Sequence, residues 1–202
     1  MGITPQQFRN MQERISSPRR AAAPVMAPAL QAAPRSSMVI LGIDPSLRGT
    51  GYGVIRTGRA AHELLSEGTI HCPPAWERSR CLARILQVIR DVIKAQSPTV
   101  CVIEGLFYAQ NLQTALIMGE ARGASLAAVA EAGLEIYEIA PRKVKQAVVG
   151  YGAAEKTAVA KMVQRVLKLE KPPAPDAADA LALALAFSQE HGRYNLKLPK
   201  KI

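Results

Sequence analysis

The segment Thr99 to Glu104 constrains the fold more than any other, because it is apolar at every position from Val100 to Ile103 and then ends in a glutamate. A strand with apolar residues on both faces has no side to turn to water, so it belongs at the centre of a sheet covered on both faces. The rest of the chain supplies that sheet and its covers. Met38 to Ile43 reads as a short buried strand, and Thr50 to Arg56 and Glu63 to His71 as two more, joined through the turn region Gly58-Arg59-Ala60. Pro73 and Pro74 break the chain before an amphipathic helix over about Glu77 to Ala95. Its residues Leu82, Ile85, Leu86, Ile89, Val92 and Ile93 follow helical spacing, and Ser97-Pro98 stops it. Leu112 to Ala132 predicts a second helix, Leu134 to Ile139 a fifth strand, and Arg142 to Val149 and Ala154 to Leu169 two further helices. A last helix covers Asp176 to Gln189, after the proline-rich loop Lys171 to Pro175. Three consecutive strands, then helices alternating with two more, imply an α/β fold: a mixed five-stranded sheet with helices on both faces.

Charge narrows the partners. Lys and Arg outnumber Asp and Glu by 26 to 16, a net charge of +10, which favours nucleic acid over an acidic membrane surface. No apolar stretch approaches the roughly 18 residues that span a bilayer. Ala177 to Phe187 is the longest candidate, and Asp179 inside it makes a buried helix the better reading. Cys72, Cys81 and Cys101 show no C-x-x-C spacing, so neither a disulfide framework nor a zinc site is indicated, and a cytoplasmic home is expected. Residues 1–37 stand apart. Thr4 to Ile15 places Phe8, Met11 and Ile15 on one helical face, but Ser16 to Ser37 is rich in Ala, Pro, Ser and Arg without one acidic residue, as in a flexible linker. The expected organisation is therefore a flexible extension over 1–37, a folded domain over 38–189 and a basic tail over 190–202. The extension is open to three readings: a tethered docking helix, an unstructured segment, or sequence upstream of a start at Met38.

Four acids stand out against this basic background. Asp44 follows the first apolar strand within GIDPSLRGTGYGV (42–54), where the glycines allow backbone to approach closely. Both RNase H-like nucleases and actin-like ATPases or sugar kinases use that strand-end arrangement, but the second group needs two such domains and another phosphate loop, which are not found here. Glu104 ends an apolar strand, where a carboxylate is poorly solvated unless paired or metal-bound. Asp176 and Asp179 lie three residues apart on one side of the last helix, within PAPDAADALALALAF (173–187). Asp176 after Pro175 could be a helix cap, but Asp179 has no such explanation. Together the four acids could hold two Mg²⁺ ions about 3.5–4 Å apart, the arrangement that activates water and stabilises the leaving oxygen in phosphodiester hydrolysis. The all-oxygen ligand set suits magnesium or manganese. Phe107 and Tyr108, in a chain with 4% aromatics, could stack on bases or wedge between them. Arg142, Lys143, Lys145, Lys156, Lys161 and Arg165 cluster before the last acids, where cations could position phosphates. Gly119 and Gly123 give one helix a small-residue strip suited to close packing on the sheet or to a dimer contact.

In combination and order these motifs resemble the RuvC-type Holliday junction resolvases, from about Met38 to Phe187. The resemblance rests on LGIDPSLRGTGYGV, on Glu104 with Phe107 three residues on, on ARG at 121–123, on VKQAVVGYGAAEK at 144–156 and on DAADALALALA at 176–186. It implies an RNase H-like fold, a homodimer, Mg²⁺-dependent nicking of two opposed strands of a four-way junction, and cooperation with a branch-migration helicase complex. By position it makes Asp44, Glu104, Asp176 and Asp179 the catalytic tetrad, Lys145 and Lys156 contacts to DNA, and Phe107 the aromatic that stacks at the junction centre. Ser46 replaces the usual Gly after Asp-Pro, and Gly105 replaces a common Gln after the glutamate; the second change bears on sequence preference.

Overall fold

The computed structural model describes residues 37–58, 61–105, 112–193 and 199–202, together with Gln6. The chain divides into Met1–Arg35 and Ser36–Ile202, and the second unit carries the fold described below.

Its strands are β1 (Val39–Asp44), β2 (Gly49–Arg56), β3 (Glu63–His71), β4 (Val100–Glu104), β5 (Glu135–Ile139) and β6 (Lys200–Lys201). Its helices are α1 (Arg78–Gln96), α2 (Leu112–Glu131), α3 (Pro141–Val149), α4 (Lys156–Leu167) and α5 (Pro175–Arg193). The sheet runs β3-β2-β1-β4-β5-β6. Strands β1, β2 and β3 pair antiparallel, β1, β4 and β5 parallel, and β6 returns antiparallel to β5. Strand β4, apolar from Val100 to Ile103, does sit centrally, between β1 and β5.

The sixth strand corrects the expected five. Lys200 and Lys201 pair with Glu138 and Tyr137, and Ile202 N–H donates to the Ile136 carbonyl at 3.0 Å. The pattern rule fails for a reason: both residues of β6 are exposed lysines, with no apolar face to mark a strand. What holds them is the free edge of β5, whose main-chain groups need partners, and an ion pair from Lys201 to Glu135.

Alternate residues of each strand feed opposite cores. Ile40, Val100, Val102, Tyr137 and Ile139 pack with α3, α4 and α5, while Leu41, Ile43, Cys101, Ile103 and Ile136 pack with α1 and α2. Helix α1 is amphipathic and buries Cys81, Ile85, Ile89 and Val92 on one side. It ends at Ser97, whose left-handed backbone (φ 46°) turns its N–H back to the Ile93 carbonyl, and Pro98 prevents continuation.

Helix α5 is different. From Ala177 to Phe187 every residue but Asp179 is buried, because the helix lies on β1 and β2 beneath α3 and α4. Its alanines keep it thin, and glycines in the strands below bring it closer still. A methyl group at Gly42 would lie 2.0 Å from the Ala180 carbonyl oxygen, and one at Gly51 2.0 Å from that of Asp176. The glycines of GIDPSLRGTGYGV thus admit a helix backbone, and that contact fixes α5 over the ends of the strands. The helix starts at Pro175, so Asp176 lies inside its first turn and not in front of it, and the cap reading does not describe it.

Candidate active site

Register and pleat bring the first two acids together. In the parallel β1–β4 ladder Ile43 faces Ile103, so Asp44 and Glu104 are the next residues on neighbouring strands. Each continues the parity of Ile40 and Val102, and therefore points to the α5 side of the sheet. The turn after Asp44 is pinned by the buried Thr50, whose hydroxyl donates to the Ser46 carbonyl (2.5 Å) and accepts from Ser46 N–H (3.2 Å). Arg48 ties the same turn to the next loop through the carbonyls of Pro73 (2.6 Å) and Trp76 (3.1 Å).

Helix α5 delivers the other two. A methyl at Gly49 would meet Asp176 Oδ2 at 2.8 Å, so that carboxylate lies directly over the start of β2. Asp179, one turn on, is partly buried and accepts a 2.7 Å hydrogen bond from Lys156 Nζ, at the first residue of α4.

The charges of these groups act on one another. Burial, reinforced by Asp179, pushes the Asp44 carboxyl up to about 6, against the pull of Lys156. Burial, then the charge of Asp44 and the hydrogen bond to it, pushes Glu104 up to about 8. Lys156 moves upward as well, chiefly through its hydrogen bond to Asp179. The cluster therefore carries more negative charge than its surroundings neutralise, and two carboxyls hold protons where carboxylates normally do not. An all-oxygen, charge-excess site of this kind fits a hard divalent cation. Among the described residues no three His, Cys, Asp or Glu side chains form a closed cage as they stand, and Asp179 is engaged by Lys156 instead.

The remaining predicted residues divide. Arg142, Lys143 and Lys145 lie on α3, which packs against α4 and α5. Arg142 and Lys143 are exposed and Lys145 half-buried, and none of the ion pairs among the described residues involves them. Phe107 and Tyr108 lie outside the described residues.

Sequence reasoning quoted Arg122 only as part of the ARG motif, without a role, and missed Glu138. Arg122, on α2, is only 7% exposed; its guanidinium donates to the Glu104 main-chain carbonyl and, at 2.5 Å, to Glu138 Oε2 on β5. A cation inside the small-residue run EARGASLAAVA was the available signal.

Comparison with known proteins points to one family. The family model described as Crossover junction endodeoxyribonuclease RuvC matches residues 40–187. The chain is 45% identical to the Crossover junction endodeoxyribonuclease RuvC of Halorhodospira halophila over 149 residues, covering 74% of this chain and 89% of that protein. It is 45% identical over 148 residues to the protein of the same name from Akkermansia muciniphila, covering 73% and 89%. Among solved structures, T. thermophilus RuvC in complex with Holliday junction substrate superposes with a TM-score of 0.75 at 33% identity, covering 82% of this chain and 99% of that one.

Proposed function

Because the chain belongs to the RuvC family of crossover junction endodeoxyribonucleases, we propose that it resolves four-way DNA junctions by metal-dependent nicking of two opposed strands, in recombination and repair. The observation that carries the reading is the meeting of Asp44, Glu104, Asp176 and Asp179 over one end of the sheet, with Asp44 and Glu104 held far above the usual carboxylate range.

In this reading Asp44, Glu104, Asp176 and Asp179 would together hold two Mg²⁺ ions, or Mn²⁺ in their place. Bound there, the ions supply the charge that activates water and stabilises the leaving oxygen. Everything else is done by the chain itself. Asp44 and Glu104 are half-buried, so their charges act more strongly than they would in bulk water. Lys156, largely exposed beside Asp179, offers a cation to a phosphate entering over α5. Arg142, Lys143 and Lys145 extend that positive track along α3, and Phe107 and Tyr108, just beyond β4, open the junction by stacking.

Two opposed nicks need two sites, and a homodimer supplies them. Helix α2 offers a face for it: Leu112 and Leu116 are 77% and 58% exposed, and Gly119 and Gly123 have open space where side chains would stand. These four positions follow i, i+4, i+7, i+11 and so share one side of the helix. Cooperation with a branch-migration helicase complex and a cytoplasmic site of action complete the proposal; among the described residues no helix is long and apolar enough to cross a membrane.

The test is a cleavage assay in Mg²⁺ on a four-way junction, a linear duplex and an RNA–DNA hybrid. Paired symmetrical nicks in the junction alone are expected, lost in Asp44→Asn while junction binding survives. Equal cutting of linear duplex would overturn structure selectivity, and cutting of the hybrid alone would reassign the substrate.

A further inference from the structure

We propose that Arg122 is a positioning residue for Glu104: it holds the end of β4 by its main chain, and Glu138 holds Arg122. The inference rests on the nuclease reading for its consequence, but its geometry is independent of it.

Strand β4 loses one of its two neighbours at the point where Glu104 needs to be fixed, keeping only the pairing of Glu104 with Ile139 on β5. The ladder to β1 ends at Ile43 and Ile103, one residue short of Glu104. On the other side the last main-chain bond is Gly105 N–H to the Ile139 carbonyl, at 2.9 Å. Strand β4 ends at Glu104. At that point the Arg122 guanidinium donates to the Glu104 carbonyl. A donor on that carbonyl fixes the peptide plane after Glu104, and with it the direction of the Cα–Cβ bond that aims the carboxyl at Asp44.

Arg122 is itself held. Its side chain is 8% exposed and its other terminal nitrogen lies 2.5 Å from Glu138 Oε2. A planar guanidinium serves both partners at fixed angles, which a lysine ammonium does not. Gly105 leaves room for the arrangement, since a methyl group there would lie 3.2 Å from Glu138 Cγ. The residue after the glutamate is thus small where Glu138 passes. Arg122 reaches no other acid of the cluster in any hydrogen bond or ion pair among the described residues, so its effect passes through the Glu104 main chain.

The experiment compares Arg122→Gln, Arg122→Lys and Glu138→Gln with the parent in the full-length protein. Junction cleavage is measured at saturating and limiting junction in Mg²⁺, and amide exchange at Gly105 is measured relative to Val102. Arg122→Gln should lower kcat about 100-fold with KM changed less than about threefold, as for a reacting group displaced by about 1 Å. Gly105 exchange should quicken at least tenfold while Val102 stays protected. Arg122→Lys should restore part of both, and it serves as the measured variant if Arg122→Gln does not fold. An unchanged kcat, or a loss confined to KM, would overturn the proposal, as would unaltered exchange at Gly105. If the parent itself cuts no junction in Mg²⁺ or Mn²⁺, the nuclease reading fails, and the Gly105 exchange alone decides whether Arg122 holds the strand end.

Discussion

Lys156 Nζ stands 2.7 Å from Asp179 Oδ2, so the second acid that α5 brings to the cluster is already paired with a cation from the start of α4. Lys156 also lowers the proton affinity of Asp44 and Glu104. A divalent ion held by these acids would compete with it for Asp179. Lys156→Met should therefore bind Mn²⁺ about fivefold more tightly at pH 9, where the acids are ionised, in line with the worth of an exposed ion pair. It should also cut junctions at least tenfold more slowly, because a phosphate contact is lost. Metal binding followed by Mn²⁺ spectroscopy, beside single-turnover cleavage, separates the two. Weaker Mn²⁺ binding at pH 9 would contradict the competition.

The raised acids make stability depend on pH in an unusual direction. A carboxyl that holds its proton more tightly folded than unfolded contributes stability fully below its unfolded pKa, near 4, and loses it as pH rises through the folded value. For Asp44 and Glu104 those values are about 6 and about 8. In chelator, the parent should lose stability relative to Asp44→Asn between pH 4 and pH 9, on the order of 3 kcal/mol. Added Mg²⁺ should raise the parent's melting temperature more at pH 8.5 than at pH 5. Melting curves of both proteins across that range give the difference directly, and a difference independent of pH would contradict the raised, partly buried acids.

Much of this was legible because it is local. The both-face apolar β4, the amphipathic α1 and the D-x-x-D spacing each state their environment within a few residues. Asp44 and Glu104 were legible as acids at strand ends, and parallel pairing then made them neighbours. What escaped depends on contacts distant in sequence. The partners of Arg122 are a carbonyl 18 residues before it and a carboxylate 16 residues after it, and neither leaves a mark in the pattern of α2. Strand β6 has no apolar residue to betray it, since only the unpaired edge of β5 calls for it. The glycines of β2 were read correctly as sites of close approach, but what approaches is α5.

That approach is the next test. A methyl group at Gly51 or Gly42 would stand 2.0 Å from a main-chain oxygen of α5, a distance no rotamer change can relieve. The helix must lift or the strand must bend. Gly42→Ala should cost more than about 3 kcal/mol in urea unfolding, beyond ordinary overpacking, because both partners are backbone. Gly51→Ala acts at Asp176 and should abolish cleavage even in whatever fraction remains folded. A variant at either position with parental unfolding midpoint and parental activity would contradict the seating of α5.

The exposed side of α2 gives the last. Leu112, Leu116, Gly119 and Gly123 make an apolar and open stripe on a helix whose other side packs on α1 and the sheet. A carboxylate placed there would be stranded between two apolar faces if a second copy docks, and would sit in water if none does. Leu116→Glu should therefore shift the protein from dimer to monomer in sedimentation at micromolar concentration, with the fold intact by circular dichroism. Its junction cleavage should fall about tenfold or more, and the remaining nicks should appear on single strands without their symmetrical partners. A dimer of unchanged stability in Leu116→Glu would move the contact to another surface, while unpaired nicking from the parent dimer would separate dimerisation from the pairing of cuts.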